Sequence, residues 1–275
     1  MDIHIHVFFD GITGAIEDYD DDPEELLRVV DIDRLVGVGV IVVAPTPGIE
    51  RARQLNDRLA EFVQRDPARL FAIGTVHPDD GDDALKELER IRALGFRMLK
   101  LHPITQRLDM GSDSVAAVVR KAGELGLPVL IDFSGILGAS NLGEYLWLAL
   151  HSPETCIVLA HMGGTRFHEL LILSQLRRYT WYPDNLWFDL SGVAAMYARS
   201  PYVDQLVFVI RRLGVDRALF GSDYPFVRTP SEAIEDVEAL GFTLEEKRMI
   251  FHDNAASLLG GGPAQDGRAR ASTCQ

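Results

Sequence analysis

The chain opens Asp2-Ile3-His4-Ile5-His6. In an extended strand successive side chains point to opposite faces, so Asp2, His4 and His6 share one face and Ile3, Ile5 and Val7 the other. Two imidazoles side by side on a buried face need partners for their ring nitrogens, and a divalent cation is a common use for such a pair. A single buried histidine is more often a hydrogen-bonded core residue. Two at this spacing point to a metal or to acid–base work. More polar groups end later apolar runs: Thr75-Val76-His77-Pro78, Lys100-Leu101-His102-Pro103, Asp132-Phe133-Ser134-Gly135, His161-Met162-Gly163-Gly164, Asp189-Leu190-Ser191-Gly192 and Gly221-Ser222-Asp223-Tyr224-Pro225. His4, His6, His77, His102 and His161, five of the eight histidines, fall at or beside such ends, which random scatter would not produce.

The elements that must position these groups recur evenly. Runs rich in Val, Ile, Leu and Phe begin near Asp2, Val38, Leu70, Phe96, Leu127, Thr155, Leu186 and Arg217. Their spacing averages about 31 residues, the length of one βα unit. Helical patterns fill the gaps at 23–35, 49–65, 82–94, 114–125, 143–151, 167–179, 202–213 and 231–240. Val38-Gly39-Val40-Ile41 and Pro128-Val129-Leu130-Ile131 are apolar on both faces, as in a parallel sheet covered by helices. Gly95, Gly126, Gly214 and Gly241 each follow a leucine at a helix end, and Ser231 reads as an N-cap. Eight strands alternating with eight helices predict an α/β fold, a (β/α)8 TIM barrel. An open doubly wound sheet usually has fewer strands and a Gly-rich phosphate turn after the first. Here Val7-Phe8-Phe9-Asp10-Gly11 stands in that place. Barrel active sites lie at the C-terminal strand ends, where the polar groups fall. Residues 1–260 are read as the barrel with extra C-terminal helices at 243–260, and 261–275 as a disordered tail. The acidic run 18–22 reads as a solvated loop before Pro23.

Composition bounds the partners. The 275 residues carry 27 Lys and Arg against 41 Asp and Glu, a net charge of −14, with 47% hydrophobic residues. A chain this long buries roughly 75% of its unfolded surface and needs no disulfide or metal for a core. Without a basic stripe, neither nucleic acid nor an anionic membrane is an expected partner. A small acidic substrate needs only a local cluster of cations. No run of 18 apolar residues predicts a membrane span, and the first nine residues read as a strand rather than a secretion signal. Cys156 and Cys274 are too few for a disulfide framework, and Cys156 reads as a small core residue. A cytoplasmic protein is expected.

As an ordered set, Asp-x-His-x-His, Lys100-Leu101-His102-Pro103, His161-Met162-Gly163-Gly164, Gly221-Ser222-Asp223-Tyr224-Pro225 and Asn254-Ala255-Ala256-Ser257-Leu258-Leu259 resemble the amidohydrolase superfamily. The likeness is to its amidohydrolase-related branch of small barrels, which includes aminocarboxymuconate-semialdehyde decarboxylase, aromatic-acid decarboxylases and hydratases, and lactone hydrolases. It spans residues 1–260. The resemblance implies one divalent metal ion, zinc before manganese or iron, held by His4, His6, a strand-five residue and Asp223, with His161 as an acid–base group. The family's strand-five histidine is replaced by Asp132, whose carboxylate is an acceptable ligand. Asp132 is therefore taken as a metal ligand, with substrate orientation or a structural role as alternatives. Asp223 doubles as the catalytic base.

Lys100 is assigned to a substrate anion, the alternatives being an interior ion pair or a carbamylated bridging ligand. His102 is assigned to substrate or to capping its own loop. Arg166 and Arg228 are assigned to a substrate carboxylate, the alternative being ordinary surface arginines. His77 reads as structural, and His151, His168 and His252 as uninvolved. The expected activity is metal-dependent hydrolysis of a small carboxylated cyclic amide, lactone or ester by metal-activated water. A metal-dependent decarboxylase or hydratase of an aromatic-derived acid is the alternative, and a catalytically silent barrel kept as a binding protein is the third reading. A homo-oligomer would be similar to many barrels of the branch.

Overall fold

Each apolar run forms a strand: β1 (Asp2–His6), β2 (Val38–Ile41), β3 (Leu70–Thr75), β4 (Met98–Leu101), β5 (Val129–Asp132), β6 (Ile157–Ala160), β7 (Leu186–Asp189) and β8 (Ala218–Leu219). The computed structural model describes residues 1–9, 23–134 and 141–260; the acidic run 18–22, Cys274 and the proposed tail lie outside them. Neighbouring strands pair in parallel in the order β1 to β8. The segment after β8 returns to β1: Ile3 N–H donates to Phe220 O (3.1 Å), Asp223 N–H to His4 O (2.8 Å) and His6 N–H to Tyr224 O (2.8 Å). The fold is a (β/α)8 TIM barrel.

The helices between strands bury one apolar face each. Along Ile49–Val63, Ala52, Leu55, Leu59, Phe62 and Val63 recur at helical spacing and are buried. They join Val38, Val40 and the other outward-facing strand residues in one cluster between sheet and helices. Gly95 (φ 90°) and Gly126 (φ 67°) end their helices in the left-handed region that favours glycine. β4, β5 and β6 begin two residues after the predicted starts, at Met98, Val129 and Ile157.

Three local expectations are corrected. The helix after β8, Pro230–Glu238, is capped by Thr229, not Ser231: Thr229 Oγ1 accepts from Glu232 N–H, and Glu232 accepts from Thr229 N–H. Ser231 lies inside that helix and donates its N–H to Asp33. The single helix predicted at 167–179 is instead a chain of tight turns, His161–Leu170, and a short helix, Leu171–Leu176. Met162, Gly163 and Gly164 have φ of 49°, 83° and 53°, which no continuous α-helix admits.

The third correction is in β1. Its pairing with β2 shifts register between Asp2 and Ile5. Ile3 therefore packs in the inner cluster with Phe71, Met98, Leu130 and Leu219, while Ile5 packs outside under the helices. Asp2 spends its carboxylate on backbone: Oδ1 accepts from His4 N–H (3.0 Å) and Ser222 N–H (3.2 Å). Cys156 is buried in the same inner cluster, as its reading as a small core residue expects.

The extra C-terminal helices are present. Leu244–Arg248 is capped by Thr243, runs through a wide turn at Met249–Asp253 and continues as Asn254–Leu258. Asn254 Nδ2 donates to Val215 O and Ala218 O, both at 2.7 Å, and so ties this segment beneath β8. Among the described residues no helix is long and apolar enough to cross a membrane.

Candidate active site

Inside the barrel the two-residue period of the strands sorts chemistry by height. Met98, Leu130 and Trp187 face inward in the apolar inner cluster. Two residues further along each strand stand Lys100, Asp132 and Asp189, which therefore share the next layer up. His4, His6, His161 and Asp223 join them. None of the seven is more than 9% exposed.

His4 is held at both nitrogens. Its Nδ1 lies 2.8 Å from Asp189 Oδ2 and 3.2 Å from Ser191 Oγ. A carboxylate only accepts, so Nδ1 carries the proton and Nε2 presents a lone pair. That lone pair faces Lys100 Nζ at 3.0 Å and Asp223 Oδ1 at 3.3 Å. His6 Nε2 lies 3.2 Å from the same Asp223 oxygen. Donor atoms of His4, His6 and Asp223 fall within 4.8 Å of one another and can hold a metal ion. Their two measured separations match about 3.3–3.4 Å, the edge of a tetrahedron whose bonds are roughly 2.0–2.1 Å. The donor set and its spacing fit a divalent cation.

A second group, His4, His161 and Asp189, is equally close. It is already cross-linked by hydrogen bonds: Asp189 Oδ1 accepts from His161 N–H (2.9 Å), Ser191 N–H (3.0 Å) and Ser191 Oγ. Asp189 thus orients the first group rather than forming a free one, as carboxylates behind ligating histidines do.

His161 stands opposite. Its Nε2 is 3.1 Å from Asp132 Oδ2, and its Nδ1 is 3.0 Å from Ser191 Oγ. Ser191 gives its one hydroxyl proton to Asp189, so Oγ can only accept from His161. Both ring nitrogens of His161 are then donors, which makes it an imidazolium. Burial alone would lower its pKa; the hydrogen bond to Asp132, with Asp223 and Asp189 nearby, outweighs burial and raises it to about 9. Burial likewise raises Asp132, but His161, His102 and Lys100 together hold it well below the usual carboxylate range. Asp132 also accepts from Ser134 Oγ (3.1 Å), and the Tyr145 hydroxyl fixes its backbone carbonyl (2.6 Å).

The other groups divide by burial. Burial, helped by Lys100, lowers His4, and burial lowers His6 to about 3, so both imidazoles are neutral and able to ligate. Asp223 is pushed up by burial but held down by His4, His6 and His161, and is ionised. Burial raises Asp2 to about 7, its Oδ2 having no hydrogen-bond partner. Burial also lowers Lys100, against the pull of Asp132, Asp223 and Asp189.

Two of these residues stand on left-handed backbone, His161 (φ 63°) and Asp223 (φ 56°). Such conformations cost about 1–3 kcal/mol each in a non-glycine residue. The hydrogen bonds from His161 N–H to Asp189 and from Asp223 N–H to His4 O hold them in place. Gly221 supplies the clearance beside them: a Cβ there would come 2.7 Å from His4 Cβ.

The structure brings His4, His6, Lys100, Asp132, His161 and Asp223 together, with Asp132 against His161. His102 caps the turn Pro103–Gln106 by accepting from Thr105 N–H (3.3 Å), and burial lowers its pKa to about 4. Arg166 pairs with Glu169 (2.7 Å) and Arg228 with Asp236 (3.0 Å), so both side chains are engaged within the fold. His77 bonds Gln106 O and Asp79 N–H. Asp189 and Ser191, which orient both rings, had no role assigned from sequence. Phe8 and Phe226 flank His6, with Phe226 edge-on at 5.1 Å, and form an aromatic wall beside it. A cavity of about 600 Å³ lies at the opposite end of the barrel, lined by Met1, Gly37, Phe71 and Arg97 among others. Its lining holds no histidine and one carboxylate, Glu61.

Known proteins resemble this chain in sequence or in fold. A 2-amino-3-carboxymuconate-6-semialdehyde decarboxylase from Dictyostelium discoideum is 25% identical over 93% of this chain and 80% of its own length. A 4-sulfomuconolactone hydrolase from Hydrogenophaga intermedia is 26% identical over 74% of this chain and 70% of its own. Among solved structures, a dihydroxybenzoic acid decarboxylase from Polaromonas sp. JS666, with bound manganese and the inhibitor 2-nitroresorcinol, superimposes with a TM-score of 0.70. It is 21% identical, covering 94% of this chain and 97% of that one, which shows a common fold. The amidohydrolase family model matches residues 1–261. The chain belongs to the amidohydrolase family of enzymes.

Proposed function

We propose that this enzyme is a metal-dependent carboxy-lyase that removes carbon dioxide from a small, flat, aromatic-derived or unsaturated acid. The observation that carries the reading is the His161 imidazolium held by Asp132. When a carbon–carboxylate bond breaks, the electron pair stays on carbon and a proton must be delivered there. A ring protonated at neutral pH and buried beside the candidate metal site is suited to deliver it. Asp132 then keeps the ring oriented between turnovers. Phe8 and Phe226 offer an apolar wall for a planar substrate. The decarboxylase relative matches nearly the whole chain, which supports the same class.

His4, His6 and Asp223 would hold the ion, zinc or manganese, with Asp189 fixing the His4 tautomer. The ion supplies a Lewis acid that polarises a substrate oxygen or acidifies a water molecule. Asp132, spent on His161, would act as that ring's partner. Three protein donors leave coordination room for substrate. A small carboxylated molecule is the expected ligand, with Lys100 the nearest buried ammonium for its carboxylate.

A second reading, hydrolysis of a carboxylated lactone or cyclic amide, is favoured by Asp223. Its ionised carboxylate touches both His4 and His6 and could accept a proton from an attacking water. The sulfomuconolactone hydrolase relative points the same way. Incubating metal-loaded enzyme with dihydroxybenzoates, carboxylated muconate semialdehydes and carboxylated lactones separates the two. Carbon dioxide release is the expected result. Acid release from a lactone with no carbon dioxide from any substrate would overturn the lyase reading.

A further inference from the structure

We propose that Lys100 is the built-in cation of this site, and that its ammonium and a divalent ion take the same lone pair of His4 in turn. The inference rests on the reading of His4, His6 and Asp223 as a metal site. Asp189 takes the Nδ1 proton of His4, leaving Nε2 with a single lone pair. Lys100 Nζ, a donor with no acceptor capacity in its charged form, stands 3.0 Å from that lone pair. One lone pair cannot serve an N–H and a metal at once. Loading the ion must therefore break the Lys100–His4 hydrogen bond.

The surroundings explain why a lysine stands there. Asp132, Asp189 and Asp223 bring three carboxylates to a space almost closed to water. Buried carboxylates without a cation among them are costly. Lys100 is 1% exposed and fixed on β4 between Leu99 and Leu101, which pack outward under the helices. Its side chain has one direction to go, into this cluster. In the ion-free protein the ammonium bonds His4 and keeps the ring aimed at the mouth. With an ion held by His4, repulsion and the lost lone pair would release Nζ from its hydrogen bond to His4. The ammonium is then free to meet a substrate carboxylate, so ion and lysine would act as two successive contacts for one anion.

The test is metal affinity, measured by competition with a chromogenic chelator for Zn²⁺ and Mn²⁺ on the full chain. Lys100→Met keeps the length of the stem and removes the competing donor. Its affinity should rise roughly 10- to 100-fold over wild type, the scale of one hydrogen bond to a charged group. Lys100→Arg, which retains a charged donor, should bind no tighter than wild type. If Lys100→Met does not fold by circular dichroism, Lys100→Leu, which also lacks a donor, is measured in its place against the same expectation. Unchanged or weaker affinity in the folded variant, with wild type still binding one ion, would overturn this proposal and leave the metal site standing. Absence of binding in both folded proteins would overturn the metal site itself, and this proposal with it.

Discussion

Asp189 Oδ2 lies 2.8 Å from His4 Nδ1 while its Oδ1 takes the backbone N–H of His161 at 2.9 Å. One buried carboxylate thus sets the tautomer of the first ring and the position of the second. Asp189→Asn keeps the shape but turns an acceptor into a group that can also donate. It should lower metal affinity about 10- to 100-fold, the usual effect of losing such a partner. Chelator competition on the folded variant checks it; unchanged affinity would mean that Asp189 does not orient His4.

His161 and Asp132 predict the alkaline limit of activity. The His161 pKa is raised to about 9 from an ordinary 6.5. A raised histidine contributes stability that is fully present below its unfolded value and disappears as pH climbs through its folded one. Asp132 is depressed, so its contribution is present above the ordinary carboxylate range and fades as pH falls toward its low folded value. Between roughly pH 5 and pH 6.5 both contributions are at full strength, and that of His161 declines from there to about pH 9. In the lyase reading kcat should fall as pH rises through about 9. Asp132→Asn should move that limb to lower pH, and a pH–rate profile that stays in place would count against the pairing.

Gly221 offers a steric test of the same ring. Adding a methyl there places it 2.7 Å from His4 Cβ, inside contact distance. Gly221→Ala should cost about 1–3 kcal/mol of stability by overpacking and weaken metal binding by displacing His4. Gly111→Ala, whose added atom meets only Asp109 at 3.5 Å, is the control and should be close to neutral. Urea titration with and without metal reads both effects.

Chelation should be visible in melting. A ligand at a hundredfold excess over its Kd stabilises the folded state by about 2.7 kcal/mol. For a chain of this length that is a rise in Tm of roughly 5–10 °C, lost on adding chelator. The double variant His4→Ala, His6→Ala should show no such difference. A chelator effect of equal size in that variant would place the ion elsewhere.

The barrel and its polar rim were legible in the sequence because both follow from short periods. Runs of apolar residues about 31 apart give βα units, and a polar residue two beyond an inward apolar one gives the rim. Lys100 and Asp132 both stand at the ends of such runs, and the ligand role given to Asp132 came from the family resemblance. Asp189 satisfies the same rule after Trp187, yet nothing in its immediate neighbours says that it faces His4. What a buried side chain touches depends on which strands lie across the barrel. The Asp132–His161 contact was hidden for another reason: the left-handed turn at His161 and Met162 swings the ring, and no helix or strand periodicity encodes it. The pairing of Arg166 with Glu169 was legible too, since the two stand three residues apart on one turn.

The irregular step in β1 falls between Asp2 and Ile5, below His6 and at His4 itself, and is secured by Ile3 in the barrel floor and by Asp2 on two amides. The strand's seating therefore does not depend on what its upper end coordinates. Imidazoles there can be exchanged for other side chains with the scaffold intact, whereas deleting or inserting a single residue in those first five would rotate the whole upper end away from the mouth.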